Sequence, residues 1–197
     1  MNKIIMHIDM NAYFASVEQQ ANPFLRNKPI GIIGKNEKRS VISAASYQAK
    51  QLGVKTAMST WQAKNICPSI ILYPGDPDKY KYVMNKFNNI FSEFTDKIEI
   101  FSIDESFLDI TDTAEDYFGA IFLAQTIRER LKEELGDYIT ASIGISSNKL
   151  MSKLSSEKVK PNGITVTRPK NIKKVLFSSE LEDLCGLGKN TKHKLNE

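Results

Sequence analysis

A chain of 197 residues with 41% hydrophobic and 25% charged residues has the make-up of a globular protein of one large domain or two small ones. No apolar run approaches the roughly 20 residues that a membrane-crossing helix needs, and the opening MNKIIMHIDMN lacks the small-residue cleavage site of a signal peptide. The net charge of +4 hides an asymmetry: residues 149–197 hold 11 Lys and Arg against 5 Asp and Glu, which suits a polyanionic partner or a solvated lysine-rich face.

KIIMHID reads as a buried strand and leads into NAYFASVEQQ, a helix with Asn11 near its start, where N-cap residues belong. NPFLRNKP is a loop bounded by Pro23 and Pro29. IGIIG and VISAAS are short strands, YQAKQL is a short helix closed by Gly53, and STWQAKNI is another that Ser59 can cap. SIILYP is a strand. A long helix over 78–94 follows, because Tyr80, Val83, Met84, Phe87, Ile90, Phe91 and Phe94 recur at 3–4 spacing. Two strands then meet near Asp104, and a helix covers 118–135. YITASIGIS is a strand, and Ser147 and Asn148 open a helix running towards Val159. KPNG is a turn, ITVT the last strand, and from Pro169 the chain reads as helical and basic. Setting aside an insertion of about 60 residues leaves an α+β unit with an antiparallel sheet backed by helices. Residues 20–77 then form a second, smaller lobe. The two cysteines, Cys67 and Cys185, are too few for a disulfide framework or zinc cluster and fit a reducing, cytoplasmic setting.

Chemistry concentrates in IEIFSIDESFLDI. Ile98, Ile100 and Ser102 lie on one face of the strand, and Glu99, Phe101 and Ile103 on the other. Asp104 and Glu105 fall at the connection, where both carboxylates project from one end of the sheet. Such close like charges repel, and a bound cation relieves that. A solvated hairpin tip explains the pair by itself. Asp9, however, also ends an apolar strand, and if that strand neighbours the hairpin, three carboxylates converge. Oxygen-only ligands favour Mg²⁺ or Mn²⁺ over zinc. Two such ions about 4 Å apart serve in-line phosphoryl transfer. Tyr47 and Lys50, three apart on a short helix, could grip a triphosphate, although an amphipathic surface helix accounts for them equally. Lys160 in VKPNG is a third cation of the same kind.

HIDMNAYFASVEQ, AASYQAKQLGVKTAMS, FSIDESFLDI, GISSNKLMSK and KPNG together resemble the Y-family (translesion) DNA polymerases, nearest to the bacterial DNA polymerase IV branch, with the motifs in the family's order and spacing from residue 3 to the end. The resemblance implies a ferredoxin-like palm with an antiparallel sheet backed by helices over 1–11 and 78–168, an inserted small α/β fingers lobe over 12–77, and the start of a helix–hairpin–helix thumb over 169–197. The rest of the thumb and the family's little finger have no counterpart. It further implies that Asp9, Asp104 and Glu105, with the Met10 carbonyl, hold two Mg²⁺ ions (or Mn²⁺). Amides of Ala12, Tyr13 and Phe14 and the side chains of Tyr47, Lys50 and Lys160 would hold nucleotide phosphates. Phe14 would be the steric gate that clashes with a 2′-hydroxyl. Gly186, Gly188 and Lys189 would contact DNA phosphates from the hairpin. Two departures weaken nucleotide binding by about 1 kcal/mol each if one hydrogen bond is lost: Lys50 stands where many members carry Arg, and Ala44 where relatives carry Thr.

The implied function is low-fidelity, template-directed DNA synthesis by two-metal nucleotidyl transfer. Its partners would be primer–template DNA, dNTP and, through a region beyond residue 197, a sliding clamp, with no membrane. DNA binding by this chain alone would be weak. The competing function is a non-catalytic, polymerase-like adaptor in a DNA repair complex; the intact Asp9, Asp104 and Glu105 argue against it.

Overall fold

The computed structural model describes residues 3–37 and 40–187. These divide into two compact units: residues up to Asp9, Asn88–Arg130 and Ala141 onward form one, and Met10–Phe87 with Leu131–Thr140 form the other. No helix among the described residues is long and apolar enough to cross a membrane.

The first unit is built on a five-stranded sheet. Its strands are β1 (Ile5–Met10), β5 (Ile98–Ile100), β6 (Glu105–Asp109), β7 (Ala141–Ser146) and β8 (Ile164–Thr167), in the order β5-β6-β1-β7-β8. The central strands β1 and β7 are buried almost throughout, as expected of strands covered on both faces. The β5–β6 and β1–β6 pairs are antiparallel, while β7 and β8 run parallel, so the sheet expected to be antiparallel is mixed. The parallel pair arises because α6 (Lys149–Lys158) crosses over between β7 and β8, as a βαβ unit requires. Asn148 caps α6 by accepting from the Met151 amide. Three buried serines, Ser152, Ser155 and Ser156, give α6 a thin face. It packs against Gly144, where an added Cβ would fall inside contact distance of the Ser152 carbonyl oxygen and the Ser156 amide nitrogen. On the other face, Ser106 of β6 donates to the Asn88 side chain at 2.9 Å, and Ile90 and Phe91 of α4 (Pro77–Ser92) are buried. Ala120, Ala124 and Ile127 of α5 (Tyr117–Leu135) are buried in the same unit. Asn162, at φ 59, makes the turn of KPNG before β8. Beyond β8 come the single turn Pro169–Asn171, the short helix α7 (Ile172–Phe177) and the turn Leu181–Asp183.

The second unit holds a three-stranded sheet of β2 (Ile30–Ile33), β3 (Ala44–Ala45) and β4 (Ile71–Pro74), in the order β3-β2-β4. Only two residues of VISAAS form a ladder. α1 (Tyr13–Ala21), α2 (Tyr47–Gln51) and α3 (Thr60–Ile66) complete the unit. Its core joins Ile33, Ile42, Ala45, Ala49, Val54, Ala63, Cys67 and Ile70. Ser59 caps α3 with a reciprocal capping box through Gln62. Asn11 does not cap α1. The N-cap is Ala12, and the Asn11 side chain instead donates to Thr140 Oγ1 at 3.1 Å and accepts from Tyr47 at 3.3 Å.

The seating of α6 on β7 depends on Gly144 having no side chain. Gly144→Ala should lower stability by about 2 kcal/mol through overpacking, measured by urea unfolding; an unchanged midpoint would show that α6 can move away freely.

Candidate active site

The β1–β6 register sets Asp9 opposite Glu105 and His7 opposite Phe107. Residues two apart on a strand, and partners directly across, share a face. These four side chains therefore line the face of the sheet that α6 covers. Asp104 sits in the turn just before β6 and accepts a 2.6 Å hydrogen bond from the Ser102 hydroxyl.

Each strand carboxylate meets a cation. Lys160 Nζ stands 3.0 Å from Asp9 Oδ2. The Asp9 carboxyl is raised to about 6: burial pushes it up most, Lys160 pulls it down, and Glu157 and Asp104 add further upward pushes. Burial lowers the Lys160 ammonium, but Asp9 and Glu157 outweigh it and leave it raised. Glu105 Oε2 accepts from His7 Nε2 at 2.9 Å and pairs with Lys153 Nζ. Burial would raise the Glu105 carboxyl, yet His7 and Lys153 more than offset this and hold it at about 2. His7 itself is fully buried, and burial lowers its imidazole below the ordinary range.

Among the described residues, no three His, Cys, Asp or Glu side chains are grouped closely enough to hold a metal ion as they stand. The donor set of Asp9, Asp104 and Glu105 still fits a hard divalent cation in its chemistry, being all carboxylate oxygen. Lys153 and Lys160 supply the countercharge that such an ion would replace. A cleft of about 830 Å³ opens beside Glu105, lined by Phe101, Lys153, Glu157 and residues 182–187. Gly186 lies in this lining in the left-handed region, at φ 87. Gly188 and Lys189 lie outside the described residues.

The remaining expected residues belong to the second unit. Ala12 opens α1 at φ 47 and ψ 43, a left-handed conformation that is strained for a residue with a Cβ. Two residues on, the Phe14 ring stacks on Tyr80 at 4.4 Å between centroids and 18° between planes. Tyr80 is itself anchored: its hydroxyl donates to Glu18 Oε1 at 3.0 Å, and its carbonyl accepts from the Tyr13 hydroxyl at 2.6 Å. Glu18 is completely buried, and Lys79 Nζ meets its other oxygen at 2.8 Å. Lys50 Nζ stands over the Tyr47 ring, 4.9 Å from its centroid, so the two do share a helix face. Ala44 is half-buried in β3 and offers no polar side-chain atom.

Sequence reasoning singled out neither His7, Lys153 and Ser156 around Glu105 nor Glu18 and Tyr80 around Phe14. One signal was available for His7: it precedes Asp9 by two and so shares its strand face.

A family model described as the impB/mucB/samB family matches residues 8–157. DNA polymerase IV of Bacteroides fragilis (strain YCH46) is 41% identical over 192 residues, covering 98% of this chain and 52% of that protein. DNA polymerase IV of Shigella flexneri is 43% identical over 195 residues, covering 99% of this chain and 55% of that protein. The chain thus spans about half the length of the curated relatives it matches. Among solved structures, an insertion ternary complex of Dbh DNA polymerase superposes with TM-score 0.91 at 32% identity, covering 98% of this chain and 57% of that one. DinB from Sulfolobus solfataricus does so with TM-score 0.89 at 32% identity, covering 98% and 56%.

Removing the hydroxyl that serves buried Glu18, by Tyr80→Phe, should cost about 1–2 kcal/mol while keeping the ring under Phe14. Chemical denaturation reads this out, and a cost near zero would mean that Lys79 alone satisfies Glu18.

Proposed function

Because this chain belongs to the impB/mucB/samB family of Y-family polymerases, we propose that it forms the catalytic part of a template-directed DNA polymerase of the translesion type, adding deoxynucleotides to a primer 3′-hydroxyl. The observation that carries this reading is the pairing of Asp9 with Glu105 across two strands, with Asp104 beside them. Residues 1–11 and 78–168 are assigned to the palm, 12–77 to the fingers and 169–197 to the start of the thumb. Primer–template DNA and dNTP are the proposed partners, as the ternary complex named for Dbh DNA polymerase suggests. Two free cysteines, one buried and one exposed, suit work in the cytoplasm.

Asp9, Asp104 and Glu105, with the Met10 carbonyl, would hold two Mg²⁺ or Mn²⁺ ions. When bound, such ions supply Lewis-acid chemistry, favouring deprotonation of the primer hydroxyl and neutralising charge on the leaving pyrophosphate. Lys160, paired with Asp9 in this state, is released to a phosphate oxygen once Asp9 has another countercharge. Tyr47 and Lys50 offer a hydroxyl and an ammonium from one helix face, and the lysine acts as a point charge where an arginine would fork. The first amides of α1, at Ala12, Tyr13 and Phe14, point where phosphate oxygens are favoured at a helix start. The left-handed turn at Ala12 directs them. Ala44 adds no hydrogen bond. Phe14, backed by Tyr80, presents a ring edge that does not yield, and a 2′-hydroxyl is rejected by contact rather than by weaker attraction. Gly186, with Gly188 and Lys189, is proposed to meet DNA phosphates through backbone amides and one ammonium.

Single-turnover primer extension with the protein in excess tests the catalytic assignment. Asp104→Ala should lower the rate at least about a hundredfold; synthesis that survives the substitution unchanged overturns it. Phe14→Val should raise ribonucleotide use relative to deoxynucleotide use about tenfold or more, read by competing the two substrates. No change in that ratio removes Phe14 from the gate role.

A further inference from the structure

We propose that His7 is a positioning residue that, together with Ser156, tethers one oxygen of the Glu105 carboxylate and leaves the other to accept a divalent cation. This rests on the reading of Glu105 as a cation ligand given under Proposed function.

His7 lies in the middle of β1 with no exposed surface. A buried imidazole needs partners for both nitrogens, and it has them. Nδ1 is 2.8 Å from Ser156 Oγ on α6, and Nε2 is 2.9 Å from Glu105 Oε2 on β6. A carboxylate only accepts, so Nε2 carries the proton. In the neutral ring Nδ1 is then an acceptor, and the Ser156 hydroxyl donates to it. That hydroxyl also lies 2.7 Å from the Lys153 carbonyl, so its single proton is shared between two acceptors. The ring plane is held from a third side by Phe107, at 4.6 Å between centroids. With strand, helix and aromatic ring all fixing it, the imidazole has no rotamer freedom to lend Glu105.

The geometry at Glu105 is one-sided. His7 and Lys153 both contact Oε2, and among the described residues Oε1 carries no hydrogen bond. Lys153 is partly exposed and sits on a long flexible stem. It can leave when a cation arrives, whereas His7 cannot. His7 therefore keeps the carboxylate aligned whether or not an ion is bound.

The test is Mn²⁺ binding by the 197-residue chain, followed by the electron paramagnetic resonance of the free ion, with melting temperatures and primer-extension kcat and KM alongside. The variants are Glu105→Gln, His7→Leu, His7→Gln and Ser156→Ala. Loss of an orienting partner weakens metal affinity about 10- to 100-fold, so His7→Leu should weaken Mn²⁺ binding by that factor. His7→Gln places an amide N–H near the position of Nε2 and should bind within about threefold of the parent, and Ser156→Ala should fall between the two. kcat should fall with the metal affinity while KM for dNTP stays near the parent's. If His7→Leu does not fold, weakened binding by Ser156→Ala with near-parental binding by His7→Gln carries the same support. Equal Mn²⁺ affinity in parent, His7→Leu and Ser156→Ala overturns the proposal. So does equal weakening by Leu and Gln in step with lowered melting temperatures, which would mark a packing role. If Glu105→Gln weakens binding and the His7 variants do not, this inference alone fails. If Glu105→Gln leaves affinity unchanged, the ligand reading of Glu105 fails and takes this inference with it.

Discussion

The candidate site depends on one pairing register, that of β1 against β6. Because side chains alternate along a strand, a slip of one residue would send Asp9 and His7 together to the opposite face from Glu105. The register is pinned by packing. Met6, Ile8 and Leu108 are wholly buried on the face opposite the acids, and a one-residue slip would take Met6 and Ile8 off the face they share with Leu108. Beyond the strand end, the Ile4 amide donates to Thr111 Oγ1 at 3.0 Å and the Ile4 carbonyl accepts from the Ile110 amide at 3.0 Å. Apolar burial therefore holds two acids in apposition that would otherwise repel each other.

That apposition leaves the two carboxylates in opposite electrostatic conditions. Asp9 is driven up by burial and by its acidic neighbours, so its charge is costly to keep. Glu105 is driven down by two donors, so its charge is secured. Resident lysines make the arrangement tolerable without an ion: Lys160 serves Asp9 and Lys153 serves Glu105. Both sit where a divalent cation or a phosphate would change their partner. The same two ammonium groups can thus stabilise the empty site and, once displaced, attract a polyanion to it. A site built only of acids would have to be held together against its own repulsion before any ion arrived.

Much of this was legible in the sequence, and the rest was not for identifiable reasons. The helix of 78–94 could be read from its apolar stripe, because Tyr80, Phe87, Ile90 and Phe91 are all buried as that spacing requires. Ser59 was readable as a cap because its partner Gln62 lies three residues on. Asn11 was misread. Its side chain answers to Thr140 and Tyr47, both distant in sequence, and such tertiary claims override a local capping preference. The parallel β7–β8 pair was missed because strand direction follows from where α6 crosses, which neither strand encodes. His7 escaped attention for the same kind of reason. Its two hydrogen-bond partners lie 98 and 149 residues away, and composition within the strand says nothing of them.

The helix α6 shows how packing and site chemistry are solved with the same residues. A helix cannot approach a sheet closely while carrying large side chains on the facing side. Here the facing side is Ser152, Ser155 and Ser156 against Gly144. Each hydroxyl turns back to a carbonyl of its own helix, from Lys149, Met151 and Lys153 respectively, so none is left unsatisfied at close range. Ser155 additionally meets Thr167 Oγ1 of β8 at 2.7 Å. The close approach brings Ser156 within reach of His7 and lets Lys153, one turn earlier, reach Glu105. A leucine face would have buried more apolar area, but it would have held the helix too far away for either contact. The serine-rich face gives up some hydrophobic stabilisation in exchange for a helix near enough to address the carboxylates.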